Sequence, residues 1–188
     1  MSELGEAFAD VLSRAAGGDR DAFSQLWRST HPGLIRYLRV LCGADNAEDV
    51  ASDTWLKVMR GLATFTGDEA AFRGWVTVVA RNRAIDLGRQ WARRPEQLEA
   101  GVEDRDGGLA ADTADLALEQ LSTERALRLV AALPPAVAEM VALRVIVGLD
   151  VAQVAQIVDK TPGAVRVAVH RGLRTLAAQL ERGTTTPM

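Results

Sequence analysis

The last fifty residues constrain this chain most, because their breaks and apolar spacing fit a helix-turn-helix. Asp150 to Val158 (DVAQVAQIV) reads as a short apolar-rich helix, Asp159 and Lys160 break it, and Thr161-Pro162-Gly163 opens a second helix. Thr161 can cap the exposed backbone N–H groups, and Pro162 takes the first helical position, where its missing N–H is not needed. At 100° per residue the second helix divides into two faces. Val165, Val169, Leu173, Leu176 and Leu180 form the expected core stripe. Gly163, Arg166, His170, Arg171 and Arg174 fall on the other side, where arginine forks can reach phosphates and guanine edges. With Thr161 they make the candidate duplex-reading set, since a helix-turn-helix presents the start of its second helix to the major groove. The bland alternative is a solvated basic face on an ordinary helical bundle.

Upstream, the periodicity stays helical and no segment alternates like a strand. Helices are expected over Glu3 to Ala16, Asp19 to Leu41 with a bend at His31-Pro32-Gly33, and about Asn46 to Gly61 with Asn46 as cap. Ala63 to Ala70 reads as a loop, and Phe72 to about Arg94 as a long helix stopped by Pro95. Helix resumes near Ala114, breaks at Pro134-Pro135, and runs again from Ala136 to Val147. Glu96 to Thr113 is rich in glycine and acid and too polar to fold alone, so it reads as a linker. The expected fold is all-α: two small helical domains, 1–95 and 114–182, joined by an acidic linker, 96–113, with a tail at 183–188.

The net charge is −3, which alone argues weakly against a nucleic-acid partner. Its distribution reverses that impression. Residues 70–95 hold six arginines (73, 81, 83, 89, 93 and 94) against Asp86 alone, a local +5. Residues 96–124 hold nine acids against Arg105, a local −8, and residues 160–182 return to +4. Cys42 is the single cysteine, so an intrachain disulfide and a thiolate metal cluster are both excluded. A reducing cytoplasm is the expected home. The N-terminus carries three acids and no apolar run, unlike a secretory signal. The longest apolar stretches, Trp75–Ala80 and Val145–Leu149, are too short to span a bilayer, so no membrane insertion is expected.

Catalytic residues, metal ligands, a cofactor and a small-molecule substrate find no candidate here. His31 and His170 stand apart from each other and from Cys42, and no metal-spaced or nucleophile-elbow pattern occurs. Two other segments carry chemistry. In Asn46–Arg60, Val50, Trp55, Val58 and Met59 can face a core, while Glu48, Asp49, Ser52 and Asp53 form an acidic outer strip suited to a basic partner. In Thr64–Arg94, Phe65, Phe72, Arg73, Trp75, Asn82, Arg89, Arg93 and Arg94 interleave rings and positive charge. Single-stranded nucleic acid requires that combination, charge for the backbone and ring faces for bases. The alternative makes Phe72 and Trp75 core residues and leaves only the arginines exposed.

Taken in order, these blocks resemble a bacterial RNA polymerase sigma factor of the extracytoplasmic-function group. AEDVASDTWLKVMR (47–60) resembles the polymerase-docking helix of sigma region 2, and FRGWVTVVARNRAIDLGRQWARR (72–94) resembles the helix that reads and melts the −10 element. ALPPAVAEMVALRVIVGLDVAQVAQIVDKTPGAVRVAVHRGLRTL (132–176) resembles sigma region 4, which reads the −35 element. The family pattern has Gln where Ser52 stands and Gly where Asp159 stands. The resemblance implies a promoter-specificity subunit, not an enzyme, whose partners are core RNA polymerase, promoter DNA and an anti-sigma factor. It places Glu48, Asp49, Ser52 and Asp53 on polymerase, the Phe65–Arg94 set on the −10 strand, and the Thr161–Arg174 set on the −35 duplex. The rival reading is a stand-alone helix-turn-helix regulator on duplex operator DNA.

Overall fold

The computed structural model describes the backbone of residues 4–92 and 114–184 and the side chains of residues 4–90 and 122–182. A 3-10 turn, Gly5–Ala7, leads into α1 (Phe8–Ala16), α2 (Arg20–Cys42) and α3 (Ala44–Gly61). A second 3-10 turn, Leu62–Thr64, precedes α4 (Glu69–Ala92). Then come α5 (Ala114–Ala131), α6 (Pro135–Val141), a π-helical turn (Ala142–Ile146), α7 (Val151–Val158) and α8 (Pro162–Thr184). Among the described residues there is no strand. The expected linker, with Arg93 and Arg94, lies outside the described residues, as does the tail beyond Thr184; α8 runs through the tail's first two positions.

Local chemistry sets the boundaries. Gly18 takes φ 93°, and Asp19 then accepts from the N–H groups of Asp21 and Ala22 to cap α2. Those bonds, the Ala22 one foremost, hold the Asp19 carboxyl below its ordinary range, and Arg14 forks onto the same group. Pro32 sits inside α2, which runs through the expected bend at His31–Gly33 as one helix. Gly43, at φ 83°, separates α2 from α3. Because α3 starts at Ala44, Asn46 is not its cap: its amide instead donates back to the Cys42 carbonyl at 2.9 Å. Asp150 and Gln153 form a reciprocal capping box on α7, each side chain bonding the other's backbone N–H. Asp159 ends α7 in the left-handed region (φ 53°), which Asp tolerates better than most residues. The Thr161 hydroxyl accepts from the Ala164 N–H at 3.2 Å, and Pro162 opens α8.

Both halves of the chain share one core. Leu26, Leu34, Tyr37 and Leu38 of α2 belong to the same buried cluster as Val50 and Val58 of α3, Phe72, Val76 and Ala80 of α4, and Leu143, Leu149, Val154 and Val165 of the C-terminal half. A smaller cluster of Leu133, Ala138 and Val141 also packs on Val40 of α2. Three expected core residues are out of it. Met59 is 56% exposed because it lies on the outer face of α3, and Leu173 and Leu180 are 43% and 51% exposed. The reason for Leu173 is that α8 turns buried Gly172 towards α6 instead.

That contact yields a test. A Cβ built on Gly172 would lie 2.7 Å from Val141 Cγ2 and 2.9 Å from Val137 Cγ1. Both neighbours are β-branched and cannot swing clear. Alanine gains about 1 kcal/mol of helix propensity there, against about 1–3 kcal/mol for overpacking. Gly172→Ala should therefore lose up to about 2 kcal/mol and lower the urea midpoint. A raised midpoint would mean that α8 does not approach α6 this closely.

Candidate nucleic-acid interface

The duplex-reading candidates stand open on α8. Thr161, Gly163, Arg166, His170, Arg171 and Arg174 are all exposed, while Val165 on the opposite face is fully buried and pins the helix. Among the described residues none of these three arginines is ion-paired. A face of uncommitted guanidinium groups beside a capped helix start is suited to phosphate oxygens and base edges.

The single-strand candidates divide. Phe65, Phe72 and Trp75 form one aromatic group: Phe65 stacks on Trp75 with centroids 5.0 Å apart and meets Phe72 edge-on at 5.5 Å. Phe72 is 1% exposed, so it offers no ring to a base; it is the core prop under the other two. Phe65 and Trp75 are half-buried and keep ring surface outward. Two glycines make this geometry possible. A Cβ on Gly61 would meet the Trp75 ring at 3.0 Å, and Gly67, at φ 150°, would meet Phe65 at 3.1 Å. Arg73 ion-pairs with Glu69 at 3.1 Å and is mostly covered, while Arg89 is exposed beside Asp86. Glu69, although 8% exposed, also accepts from the N–H groups of Leu4 and Gly5, tying the N-terminal turn to the start of α4.

Asn82 is exposed, and the arginines on either side turn away from it. Arg83 donates to Asp53 of α3 at 2.6 Å, and Arg81 donates to Glu139 of α6 at 2.6 Å. The carboxylate of Glu139 raises the affinity of the Arg81 guanidinium for its proton. The Arg83–Asp53 pair joins the helix of the acidic strip to the basic helix, a link the sequence reading did not contain.

On α3, Glu48, Asp49 and Ser52 are exposed and Asp53 is half-exposed. Leu56 and Met59 continue the strip and are 52% and 56% exposed. The positions 49, 52, 53, 56 and 59 repeat at three and four residues and so share one side of the helix. The outer face of α3 is therefore acidic at its start and apolar at its end. That apolar end was legible in the spacing: Leu56 is seven residues after Asp49, two full turns away. Behind this helix, the Trp55 indole N–H donates to His31 Nδ1 at 3.2 Å, and Trp27, 38% exposed, stacks on His31 at 4.3 Å.

The chain matches two families in the same order as these surfaces. Sigma-70 region 2 matches residues 26–94, and Sigma-70 region 4 matches residues 123–176. The ECF RNA polymerase sigma factor BldN of Streptomyces coelicolor is 33% identical over 172 residues, covering 91% of this chain and 65% of its own length. The ECF RNA polymerase sigma factor SigD of Mycobacterium tuberculosis is 30% identical over 185 residues, covering 96% of this chain and 87% of its own length. CnrH, solved in complex with the cytosolic domain of CnrY, has the same fold, with a TM-score of 0.63 at 22% identity over 94% of this chain and 99% of that one. The sigma factor RpoE of Bartonella quintana, solved with the anti-sigma factor NepR, gives 0.61 at 19% identity over 85% and 96%.

The His31 cluster has a pH signature. Burial lowers the His31 pKa, with Glu48 opposing it. The folded chain thus favours the neutral ring, whose Nδ1 accepts from Trp55, while the unfolded chain takes up the proton first. Stability is full above the unfolded value near 6.5 and falls as pH drops below it. Melting temperature should decline from pH 7.5 to 5.5 more steeply in the native chain than in His31→Gln. Parallel curves would show that His31 does not report on this contact.

Proposed function

This chain belongs to the ECF RNA polymerase sigma factors, and we propose that it is a promoter-specificity subunit. It binds core RNA polymerase, recognises −35 and −10 elements and promotes DNA melting. The carrying observation is one polypeptide with three separated surfaces in family order: an acidic-to-apolar stripe on α3, an aromatic and polar platform at the start of α4, and an uncommitted arginine face on α8. A helix-turn-helix alone explains only the last.

The roles follow from the chemistry of each surface. Arg166, His170, Arg171 and Arg174, with Thr161 and Gly163, would lie on the −35 duplex; a bidentate arginine on guanine discriminates by about 1–3 kcal/mol per base. Phe65, Trp75 and Asn82 would hold unstacked −10 bases, the rings by stacking and the amide by donating and accepting at a base edge. Phe72 supports them from the core. Glu48, Asp49, Ser52 and Asp53 would steer α3 onto a basic face of core polymerase, and Leu56 and Met59 would be the buried centre of that contact. Residues 1–95 and 114–182 form the two working units in this reading, with 96–113 as an acidic spacer along the path of RNA. An anti-sigma factor is the expected regulatory partner; the sigma factor RpoE of Bartonella quintana, which shares this fold, was solved bound to one.

Leu56→Glu with Met59→Glu tests the docking assignment without disturbing the Asp53–Arg83 pair. Two carboxylates placed in a desolvated interface should weaken binding to purified core polymerase at least about 100-fold, near 2.7 kcal/mol. Run-off transcription on a promoter library should be lost while the helical circular dichroism stays intact. Wild-type run-off dependent on core polymerase is the positive result. Undiminished binding by the double variant would move docking off α3, and tight duplex binding by the chain alone, with no run-off, would favour the stand-alone regulator.

A further inference from the structure

We propose, on the reading of α8 as the −35 helix, that Val167 selects a thymine in that element by packing on its C5-methyl group. Three large apolar side chains of α8 stand exposed: Val167 at 50%, Leu173 at 43% and Leu180 at 51%. A single exposed valine is ordinary on a protein surface; its place on the helix is what sets Val167 apart. At 100° per residue, Leu173 and Leu180 lie about 80° and 60° round α8 from buried Val165, on the flank of the core stripe. Val167 lies about 160° from Val165, in the middle of the face that carries Gly163, Arg166, His170, Arg171 and Arg174. Its two methyl groups therefore stand on the side of α8 turned away from the core, among the donors read as facing duplex DNA.

Gly163, one turn earlier on the same face, has no need within the fold to be glycine. Its φ lies outside the left-handed region, and a Cβ built there would meet nothing within 4 Å. Gly172 of the same helix is the contrast, since a Cβ there would lie 2.7 Å from Val141. A bare backbone at position 163 lets a base edge approach the helix closely. Helical side chains lean towards the N-terminus, so Val167 leans over the stretch that Gly163 leaves bare. The result is an open recess floored by backbone and walled by two methyl groups. Valine neither donates nor accepts a hydrogen bond, so the amino and carbonyl edges of adenine, guanine and cytosine would lose water against it and gain no partner. Thymine alone of the four bases presents a methyl group in the major groove, where apolar contact reads it. Arg166, His170 and Arg171 remain for phosphates and for the polar edges of neighbouring pairs.

The test uses holoenzyme assembled from the full chain and core polymerase. The preferred −35 sequence is selected from a duplex library, and each thymine in it is then replaced singly by deoxyuridine, which deletes only the methyl group. At one position the replacement should weaken wild-type binding about fourfold, the transfer value of one buried methyl group. Val167→Ala, whose shorter side chain stops short of the base, should bind the thymine and deoxyuridine duplexes equally. Leu173→Ala, exposed but off this face, should keep the wild-type difference. Gly163→Ala should weaken binding to the thymine duplex without lowering the urea midpoint, because its Cβ enters the recess and not the core. A selected element without thymine overturns the proposal, as does a methyl preference that is absent from wild type or undiminished in Val167→Ala. Failure of the underlying reading looks different: Arg166→Ala would then leave affinity for every −35 sequence unchanged, whereas failure of the thymine contact alone leaves the loss in Arg166→Ala in place.

Discussion

Helix α2 is the element on which the rest of this molecule depends. It is 23 residues long, and both halves of the chain pack on it. Leu26, Leu34 and Leu38 serve the core shared with α3 and α4, while Tyr37 and Val40 meet α6 and its neighbours. A helix covered on several sides needs apolar residues around much of its circumference. Polar residues interleaved with the apolar ones of α2 are bonded in part. Ser29 bonds the Leu26 carbonyl, and the Tyr37 hydroxyl reaches Glu139.

The working surfaces are built by the same rule that builds the core. Each functional face is the outward side of a helix whose inward side is pinned. Val165 fixes α8 and leaves its arginines free, and Val50 and Val58 fix α3 and leave Asp49, Leu56 and Met59 outward. Phe72 fixes the start of α4 and leaves Phe65 and Trp75 half-open. Rigid presentation lowers the entropy lost on binding, which is how modest surfaces gain affinity. Among the described residues Arg166, Arg171 and Arg174 of α8 carry no ion pair, whereas Arg73, Arg81 and Arg83 of α4 are held in ion pairs to Glu69, Glu139 and Asp53.

Much of this was legible in the residues. The helix-turn-helix could be read because its signals are local: a capping residue, a proline at the first position and a break at Asp159. The acidic strip on α3 and the basic run on α4 could be read from spacing alone. What could not be read depended on contacts between distant segments. Asn46 lost its expected capping role because α3 begins two residues earlier, a choice made by Gly43. Leu173 left the core because Gly172 faces α6, and nothing in the local period favours one over the other. Phe72 became a core prop instead of a stacking ring because the α1 side chain Phe8 packs on it at 5.8 Å. Glu139 gave a weak signal, a lone acid in the apolar run AVAEMVAL, but its partners, Tyr37 and Arg81, lie 102 and 58 residues away.

If the chain works as the proposed promoter-specificity subunit, its two halves, which share one core here, have to separate on core polymerase. A distance measurement tests it most directly. Ala16 and Ala177 are exposed, lie in opposite halves and are free of the surfaces assigned above. Spin labels at Ala16→Cys and Ala177→Cys, in a Cys42→Ser background, report the separation by pulsed dipolar spectroscopy. The account requires a single short distance in the free chain and an increase of tens of ångströms on adding core polymerase, on the scale of the promoter spacing. A distance that does not change on binding, or one already long and broad in the free chain, would contradict it.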